Sequence, residues 1–245
     1  MKKCFAFFLM PLVAYSFFGC KSAGVVLADH SPIAVVSVIA NQSLPWKESS
    51  NRNEDDENDN GTGLLSTLTN KLLNGDSVEL TSAQDRIDYA ADQLIALINE
   101  NSGAEVLDRD MVLSSSVYLG TTENILKFME AKKSATNYRN LTSLGAKRAR
   151  MIMDDLGAKS LICVEFLFQK TNVSGNKWTG KVGAYVEMKI RYLDERGKEI
   201  LNRDYKATSA ESLPIKNRKY DKDALVDLFP ETIDAVINQF IVDNL

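Results

Sequence analysis

The run from Pro32 to Ala40 (PIAVVSVIA) constrains the fold of this chain most strongly. It is apolar except for Ser37, and it is rich in the β-branched residues Val and Ile. Apolar side chains at successive positions, rather than at alternate ones, are typical of a strand that is covered on both faces. The sequence therefore predicts a sheet in which this strand lies in the interior.

The middle of the chain predicts mostly helices. Its predicted elements are a helix from about Ser82, which can cap it, to Asn101; a short strand over 104–109; a helical but broken region over 111–140, interrupted at 118–120; and a helix over 141–156 that ends at Gly157. Glycine at that position suits a left-handed C-cap.

The last third of the chain predicts antiparallel strands. The predicted strands are 160–169, 181–192 and 198–207, joined by turns at Ser174–Asn176 and Asp194–Gly197. In the second strand, apolar residues from Val182 to Tyr192 alternate with polar or charged ones. Such alternation indicates a strand with one face in water.

A final helix over 222–242 contains Pro230, which predicts a kink or an interrupted start. This order of elements predicts a single α/β (α+β) domain over residues 32–245. Its mixed sheet would carry a C-terminal antiparallel meander, with helices packed on its faces.

The first twenty residues predict an export signal. Lys2 and Lys3 precede an apolar run from Cys4 to Phe18, and Gly19–Cys20 follows. As a helix this run covers about 22 Å, less than the roughly 30 Å hydrocarbon core of a bilayer. A small residue before a cysteine is the arrangement of a bacterial lipoprotein signal, although Phe17 and Phe18 stand where Leu and a small residue are usual.

We therefore expect a signal peptide over 1–19, lipid attachment at Cys20, and an anchor and tether over 20–31. Acyl chains on the sulfur and amine of Cys20 would give the two chains that stable anchoring needs. The alternative is ordinary cleavage after Ala28, because Val26–Ala28 offers tolerable small residues. That site lies far behind the apolar run for such a cut.

The segment that follows the first strand changes character. Residues 41–62 are polar, acidic and rich in Asn, which predicts a disordered insertion. The acidic run Glu54–Asp59 lacks the residue pattern of an EF-hand loop, so we interpret it as solvated charge. Over 63–75, leucines share one helical face, which indicates a helix packed on the domain or, as the alternative, on a membrane.

Charge and composition exclude several classes of protein. The chain has a net charge of −4, and loss of Lys2 and Lys3 with the signal leaves 27 basic against 33 acidic residues, a net of −6. This balance argues against nucleic-acid binding. Cys163 is the sole cysteine beyond Cys20, so a lipidated chain has no internal disulfide.

The sequence offers no catalytic constellation. His30 is the single histidine, which excludes a Cys/His zinc cluster or a triad with a second histidine, and we expect it on the solvated surface. Cys163 lies in an apolar strand and is expected to be buried. The acidic pairs Asp108/Asp110 and Asp154/Asp155 do not converge on one bond, and a turn or cap role suits Asp108 better.

We therefore predict no enzyme activity, catalytic residue, cofactor or metal site. Trp46, Trp178 and Tyr118 lie near predicted loops. Exposed aromatic residues on loops can anchor a protein partner, although half-buried packing is the commoner outcome.

Four short motifs carry a family resemblance: PIAVVSVIAN, AEVLDRDMV after a helix, ARMIMDDLGAKSLICVEF, and VEMKIRYLDERGKEI. In this order, over about residues 32–243, the chain resembles the α/β domain of envelope lipoproteins that includes the curli-secretion-channel subunit and the penicillin-binding-protein activator. It is also similar to the N-terminal domain of the Tol-Pal translocation protein. The insertion at 41–80 departs from the compact form of that domain.

The sequence thus favours a lipid-anchored, non-catalytic adaptor on the periplasmic side of the outer or inner membrane. It would contact the membrane through its lipid and bind an envelope protein. The alternative that the resemblance implies is a subunit of an oligomeric secretion channel. A channel needs additional lipid-facing strands, for which the acidic segment 41–80 is a poor candidate.

Overall fold

A computed structural model describes residues 25–47, 78–123 and 132–245 of this protein. Its described part contains a six-stranded mixed sheet with the order β2-β1-β3-β4-β5, in which β6 also pairs with β4. The strands are β1 (Ile33–Asn41), β2 (Lys132–Ser134), β3 (Ser160–Gly175), β4 (Thr179–Leu193), β5 (Glu199–Thr208) and β6 (Leu213–Lys216). β1 and β3 are parallel, and the other pairs are antiparallel.

The helices lie on both faces of this sheet. They are α1 (Val78–Thr81), α2 (Ala83–Asn101), α3 (Arg109–Ser114), α4 (Ser116–Leu119), α5 (Ala146–Leu156), α6 (Lys222–Val226) and α7 (Phe229–Asp243). Buried residues of α2 and α7 belong to the larger hydrophobic core, and those of α3, α4 and α5 belong to the smaller one. The predicted mixed α/β fold, with helices on the sheet faces, is therefore confirmed.

β1 connects the two cores. Ile33, Val35 and Val38 pack in the larger core, whereas Ala34 and Val36 pack in the smaller one. A bulge between Val35 and Ser37 interrupts the pairing with β3. The interior position predicted from the continuous apolar run is confirmed, since every residue of β1 except Asn41 is buried.

The alternation predicted for β4 and the turn predicted at Asp194–Gly197 are confirmed, whereas the turn between β3 and β4 lies at 176–178, two residues after the predicted Ser174–Asn176. Even-numbered residues of β4 from Val182 to Tyr192 are buried in the larger core, while Lys181 and Lys189 are exposed. Tyr185 departs from the predicted wet face: it is buried, and the Lys47 ammonium lies 3.6 Å from its ring centroid. The final helix is interrupted as predicted, with Pro230 in the first turn of α7.

Three helix predictions need correction. The described residues of the region 111–140 are not mainly helical: α3 and α4 are short, and β2 pairs with the edge of β1, where backbone groups need partners. The helix predicted over 141–156 begins only at Ala146. Leu141 and Leu144 are held by a turn in the smaller core, where the Leu141 amide donates to Ser37 Oγ at 3.0 Å.

Ser82 does not cap α2. The preceding residues already form the turn of α1, and Ser82 Oγ donates back to the Val78 carbonyl at 2.6 Å. The strand predicted over 104–109 is reduced to a parallel bridge between Val106 and Ile33. Asp108 then caps α3 by accepting from the Asp110 amide at 2.7 Å, in line with its expected cap role.

The first described residues of the chain lie beside its C-terminal residues. The Val25 amide donates to Asn244 Oδ1, and the Leu27 amide donates to the Asn244 carbonyl, both at 3.0 Å. Leu27 is fully buried, and Leu27–His30 form a 3-10 helix. His30 is half-buried rather than solvated, because this helix places its ring edge-on to Tyr192 at 5.8 Å.

Candidate functional site

The tip of the β3–β4 hairpin extends beyond the rest of the sheet. The pairing of β1 with β3 ends at Phe166 and that of β5 with β4 ends at Tyr185, whereas β3 and β4 continue to Gly175 and Thr179. Two flanking segments support this extension. β6 pairs with residues 179–182 of β4, and Trp46 forms a parallel bridge with Lys170 of β3. We define the hairpin-tip surface as residues 170–183 together with 213–220.

Residues in and beside the turn stabilise the end of the hairpin. Asn176 Oδ1 accepts from the amides of Trp178 at 2.8 Å and Thr179 at 2.9 Å, an Asx turn. Gly175 has a φ of 75°, in the left-handed region. At Gly180 a Cβ would collide with the Ser174 carbonyl oxygen, so a side chain there would force the two strands apart.

Trp178 stands at the end of this turn and is 56% exposed. The guanidinium of Arg218 lies 3.6 Å from the centroid of its ring, a close cation–π contact. The Arg218 amide also donates to the Trp178 carbonyl at 3.1 Å. The two side chains, far apart in sequence, therefore form one exposed pair.

Arg218 lies in a second tight turn, which follows β6. Lys216 and Lys219 exchange two backbone hydrogen bonds, of 2.9 and 3.0 Å, around Asn217 and Arg218. Both central residues have positive φ, 53° for Asn217 and 65° for Arg218. Glycine usually fills such positions, and an arginine there carries backbone strain that is often found at functional sites.

The hairpin-tip surface is basic in an acidic chain. Its residues include six cations and no Asp or Glu; the cations are Lys170, Lys177, Lys181, Lys216, Arg218 and Lys219. Lys181, Lys216, Arg218 and Lys219 are exposed and have no ion-pair partner among the described residues. The surface therefore presents positive charge to a partner.

A half-buried cluster supports the flank of this surface. The Lys170 ammonium lies 3.4 Å from Glu79 Oε1, and it is 5.6 Å from the ring centroid of Trp46. The Tyr220 hydroxyl donates to the same carboxylate oxygen at 2.9 Å, and its ring packs edge-on against Trp46. Burial, followed by the charge of Glu79, raises the pKa of Tyr220 well above its ordinary value. These groups position the tip, and the Glu79 carboxylate is already bound to Lys170 and Tyr220.

The three aromatic residues singled out from the sequence have different environments. Trp178 is exposed, Trp46 is half-buried, and Tyr118 is fully buried, with its hydroxyl accepting from the Arg139 amide at 2.8 Å. Thus Trp178 is the member of this set that is available to a partner. Its pairing with Arg218 was missed, because the turn at Asn217–Arg218 contains no glycine to indicate it.

The predicted lipid site, Cys20, lies outside the described residues, as do the acidic run Glu54–Asp59 and the predicted helix over 63–75. Cys163 is buried as expected, and its thiol donates to the Leu141 carbonyl at 3.5 Å. Burial raises the pKa of this thiol to about 12. A thiol with that pKa is poorly suited to nucleophilic chemistry near neutral pH.

A concave region lies beside α2. This cavity of about 300 Å³ is lined by Asp92, Ile95, Ala96, Asn99, Val106, Asp108 and Arg109. The guanidinium of Arg109 already contacts Asp92 and donates to the Thr136 carbonyl at 2.6 Å. Its charge therefore serves to join α2 and α3 to the segment after β2.

Residues 25–47, 78–123 and 132–245 contain no group of three His, Cys, Asp or Glu side chains that could hold a metal ion. Among the helices of the same residues, none has the length and apolar character to cross a bilayer.

No protein-family profile and no curated protein matches the sequence. Among solved structures, the chain is similar to the LpoB C-terminal domain from Salmonella enterica, with 15% identity, coverage of 77% of this chain and 85% of that chain, and a TM-score of 0.28. It is also similar to the lipoprotein GNA1162 from Neisseria meningitidis, with 13% identity, coverage of 84% and 95%, and a TM-score of 0.28. Likeness at this level defines neither the fold nor the function of this chain.

Proposed function

We propose that the protein is a lipid-anchored, non-catalytic adaptor of the bacterial cell envelope that binds a protein partner through its hairpin-tip surface. The observation that carries this proposal is the exposed Trp178–Arg218 pair on a protruding hairpin. Tryptophan and arginine are enriched among the few residues that contribute most of the binding energy at protein–protein interfaces. Holding a partner near a membrane would then be the whole of the activity.

The membrane side of the proposal depends on Cys20. From Cys20 to Val25, where the chain is docked against Asn244, five residues reach at most about 18 Å. A lipid on Cys20 would therefore hold this end of the domain close to the bilayer. Val26, Val242 and Leu245 are exposed apolar residues near the two chain ends, and they suit a position close to a membrane.

The partner side lies away from this entry point. Asn244 donates to the hydroxyl of Tyr205, which pairs with Met188 of β4. From Met188 to Gly180 the strand covers about 26 Å. A membrane held at the chain ends would leave the hairpin tip accessible to a protein in the periplasm.

The residues with reactive side chains have structural roles, which supports a non-catalytic function. Cys163 is buried with a raised pKa, His30 packs against Tyr192, and Asp108 caps α3. Each of these groups is engaged by neighbours that hold the fold together. Their arrangement favours binding over chemistry.

The anchor is tested by intact mass and detergent partitioning of the native protein and of Cys20→Ser. We expect a native mass that matches residues 20–245 plus acyl chains, together with partitioning into the detergent phase. The variant should lose both properties. A native chain that is unlipidated and begins at Asp29 would refute the anchor.

The partner surface is tested by a photo-crosslinking residue at position 178 in cells. Position 111 serves as the matched control, since Met111 is 47% exposed and belongs to α3, away from the hairpin. We expect one discrete crosslinked protein from position 178 and none from position 111. The same crosslinks from both positions would refute a specific partner surface at the tip.

A further inference from the structure

We infer that the hairpin-tip surface recognises a carboxylate-rich segment of its partner, with the Trp178–Arg218 pair as the anchor. This inference rests on the proposed function and adds the chemistry of the partner. It joins two independent observations: an exposed cation–π pair, and a surrounding surface on which the charges have one sign.

Four of the six cations on this surface, Lys181, Lys216, Arg218 and Lys219, have no ion-pair partner among the described residues. Glu79, a carboxylate beside this surface, already binds Lys170 and Tyr220. Asp221, just beyond the surface, accepts from the Ala224 amide at 3.0 Å and caps α6. The exposed side chains of Lys181, Lys216, Arg218 and Lys219 therefore remain available to carboxylates from outside.

The Trp178–Arg218 pair gives this charge a defined geometry. A guanidinium stacked on an indole keeps its N–H groups directed outward in the plane, where they can donate two parallel hydrogen bonds to a carboxylate. The hydrogen bond from the Arg218 amide to the Trp178 carbonyl fixes the turn after β6 against the turn of the hairpin. Because the pair is organised before binding, these two side chains lose little conformational entropy when a partner binds.

The strained backbone of Arg218 indicates a role for its side chain. A φ of 65° would cost less conformational free energy if the residue were glycine, which has no Cβ. The side chain contacts Trp178, which is itself exposed, rather than the core. Stability alone therefore does not account for an arginine at this position.

A carboxylate-rich protein segment fits the position of this surface better than anionic lipid. The tip lies about 26 Å along β4 from the residues beside the chain entry. Under the proposed anchor, those entry residues are the ones next to the bilayer. The tip is then free for a protein partner, and binding to anionic vesicles is an alternative that the experiment must detect.

The experiment uses the full mature chain with Cys20→Ser. The Glu and Asp residues of 54–59 are also changed to Gln and Asn, so that this acidic run cannot compete with the added peptide. Fluorescence anisotropy measures binding of a labelled Glu-rich peptide and of a matched Gln peptide. We expect the Glu peptide to bind at least about tenfold more tightly, with an affinity that falls as salt rises. Equal affinity for the two peptides would overturn the inference.

Variants of the pair make the test specific. Trp178→Ala and Arg218→Gln should each weaken binding of the Glu peptide about tenfold, whereas Lys181→Gln should weaken it about twofold to threefold. Arg196→Gln is the matched control, because Arg196 is exposed in the turn at the opposite end of β4 and should have no effect. Far-UV circular dichroism checks that each variant is folded. An equal loss for Arg196→Gln and Arg218→Gln would show that only net charge matters and would overturn the assigned anchor.

Two further results separate this inference from the proposed function. Vesicles of phosphatidylglycerol and phosphatidylcholine are tested in parallel with the peptides. Binding to the anionic vesicles without binding to the Glu peptide would overturn the inference in favour of lipid. A crosslink at position 178, together with no preference for the Glu peptide, would retain the adaptor function and reject acidic recognition.

Discussion

The two halves of the β3–β4 hairpin differ in what holds them in place. In the base, residues 161–168 of β3 contribute Leu161 and Cys163 to one core and Ile162, Val164, Phe166 and Phe168 to the other. In the tip, residues 172–176 are all exposed, and the turn is held by Asn176 and two glycines. The base is therefore fixed by burial and the tip by local hydrogen bonding and turn chemistry.

This difference has a consequence for stability and function. Segments with few buried apolar contacts open at a lower free energy than the core does. The tip can therefore change sequence or adapt to a partner without unfolding the domain. A binding surface placed on such a tip, supported by a buried base, combines a defined direction with local freedom.

The largest expected effect is that of Phe168→Ala, at the last buried position of the base. Phe168 is fully buried, stacks on Phe166 at 5.8 Å and meets Phe229 edge-on at 5.7 Å. We expect a loss of about 4 kcal/mol in the free energy of unfolding, measured by urea titration. Val173→Ala, at an exposed position of the tip, should change it by less than about 0.5 kcal/mol. Similar losses for both variants would contradict the division between base and tip.

A smaller effect is expected for Arg86→Met, next to Phe168. The Arg86 guanidinium lies 5.1 Å from the ring centroids of both Phe168 and Phe229, and it donates to the Gln42 carbonyl at 3.2 Å. Burial lowers the pKa of Arg86 to about 10, so it remains charged at neutral pH. Methionine keeps the packing but leaves this carbonyl unpaired, which should cost about 2 kcal/mol in the same urea titration.

The matched control is Lys189→Met, which exchanges a charge for the same side chain at an exposed position of β4. It should change the free energy of unfolding by less than about 0.5 kcal/mol. A neutral result for Arg86→Met would mean that the buried arginine contributes no net stability where the tip joins the base.

The base was predictable from sequence because burial leaves a local pattern. The continuous apolar run gave β1 its interior position, and the alternation from Val182 to Tyr192 gave β4 its two faces. β2 and β6 leave no such pattern. Lys132–Ser134 is polar, and Pro214 lies in β6; each becomes a strand because the edge of a neighbouring strand supplies hydrogen bonds.

The candidate site was predictable only in part. The Asx turn and the loop position of Trp178 follow from local residues, whereas its exposure depends on what the rest of the fold leaves uncovered. Its contact with Arg218 depends on β6 folding onto β4, a tertiary pairing that neither segment specifies alone. The adaptor role and the lipid on Cys20 stay proposals.

Gly180→Ala tests the tip itself. A Cβ at this position would collide with the Ser174 carbonyl oxygen, a backbone atom that cannot move without opening the hairpin. We expect a loss of about 1 kcal/mol in the free energy of opening of the tip, seen as amide hydrogen exchange that is about fivefold faster over residues 171–183, with exchange in the base unchanged. The exposed neighbour Thr179 supplies the control, Thr179→Ala. Faster exchange in the base would show that the two halves of the hairpin unfold as one unit.

The smallest expected effect concerns the wet face of the base. Arg191 Nε donates to Glu199 Oε2 at 2.6 Å, and this bond lowers the pKa of Glu199 below its ordinary value. A carboxylate with a lowered folded-state pKa stabilises the fold above its unfolded pKa of about 4.3, and this stability is lost as pH falls through the lowered pKa. Because the Glu199 side chain is 37% exposed, solvent screens the pair and the contribution is about 0.5 kcal/mol.

Glu199→Gln should therefore reduce the dependence of stability on pH between neutral and acidic conditions, measured by urea titration across that range. Glu195→Gln, at an exposed turn position, should leave the dependence unchanged.

The hairpin-tip surface has no carboxylate, so its own charge should stay constant over the same range, and only the carboxylates of a bound partner should titrate. A Glu-rich peptide that binds as tightly below pH 4 as at neutral pH would show that the tip recognises something other than charge. At acidic pH the base would lose the stability that Glu199 contributes, while the charge of the tip would stay constant. The two halves of the hairpin would then differ in their response to pH.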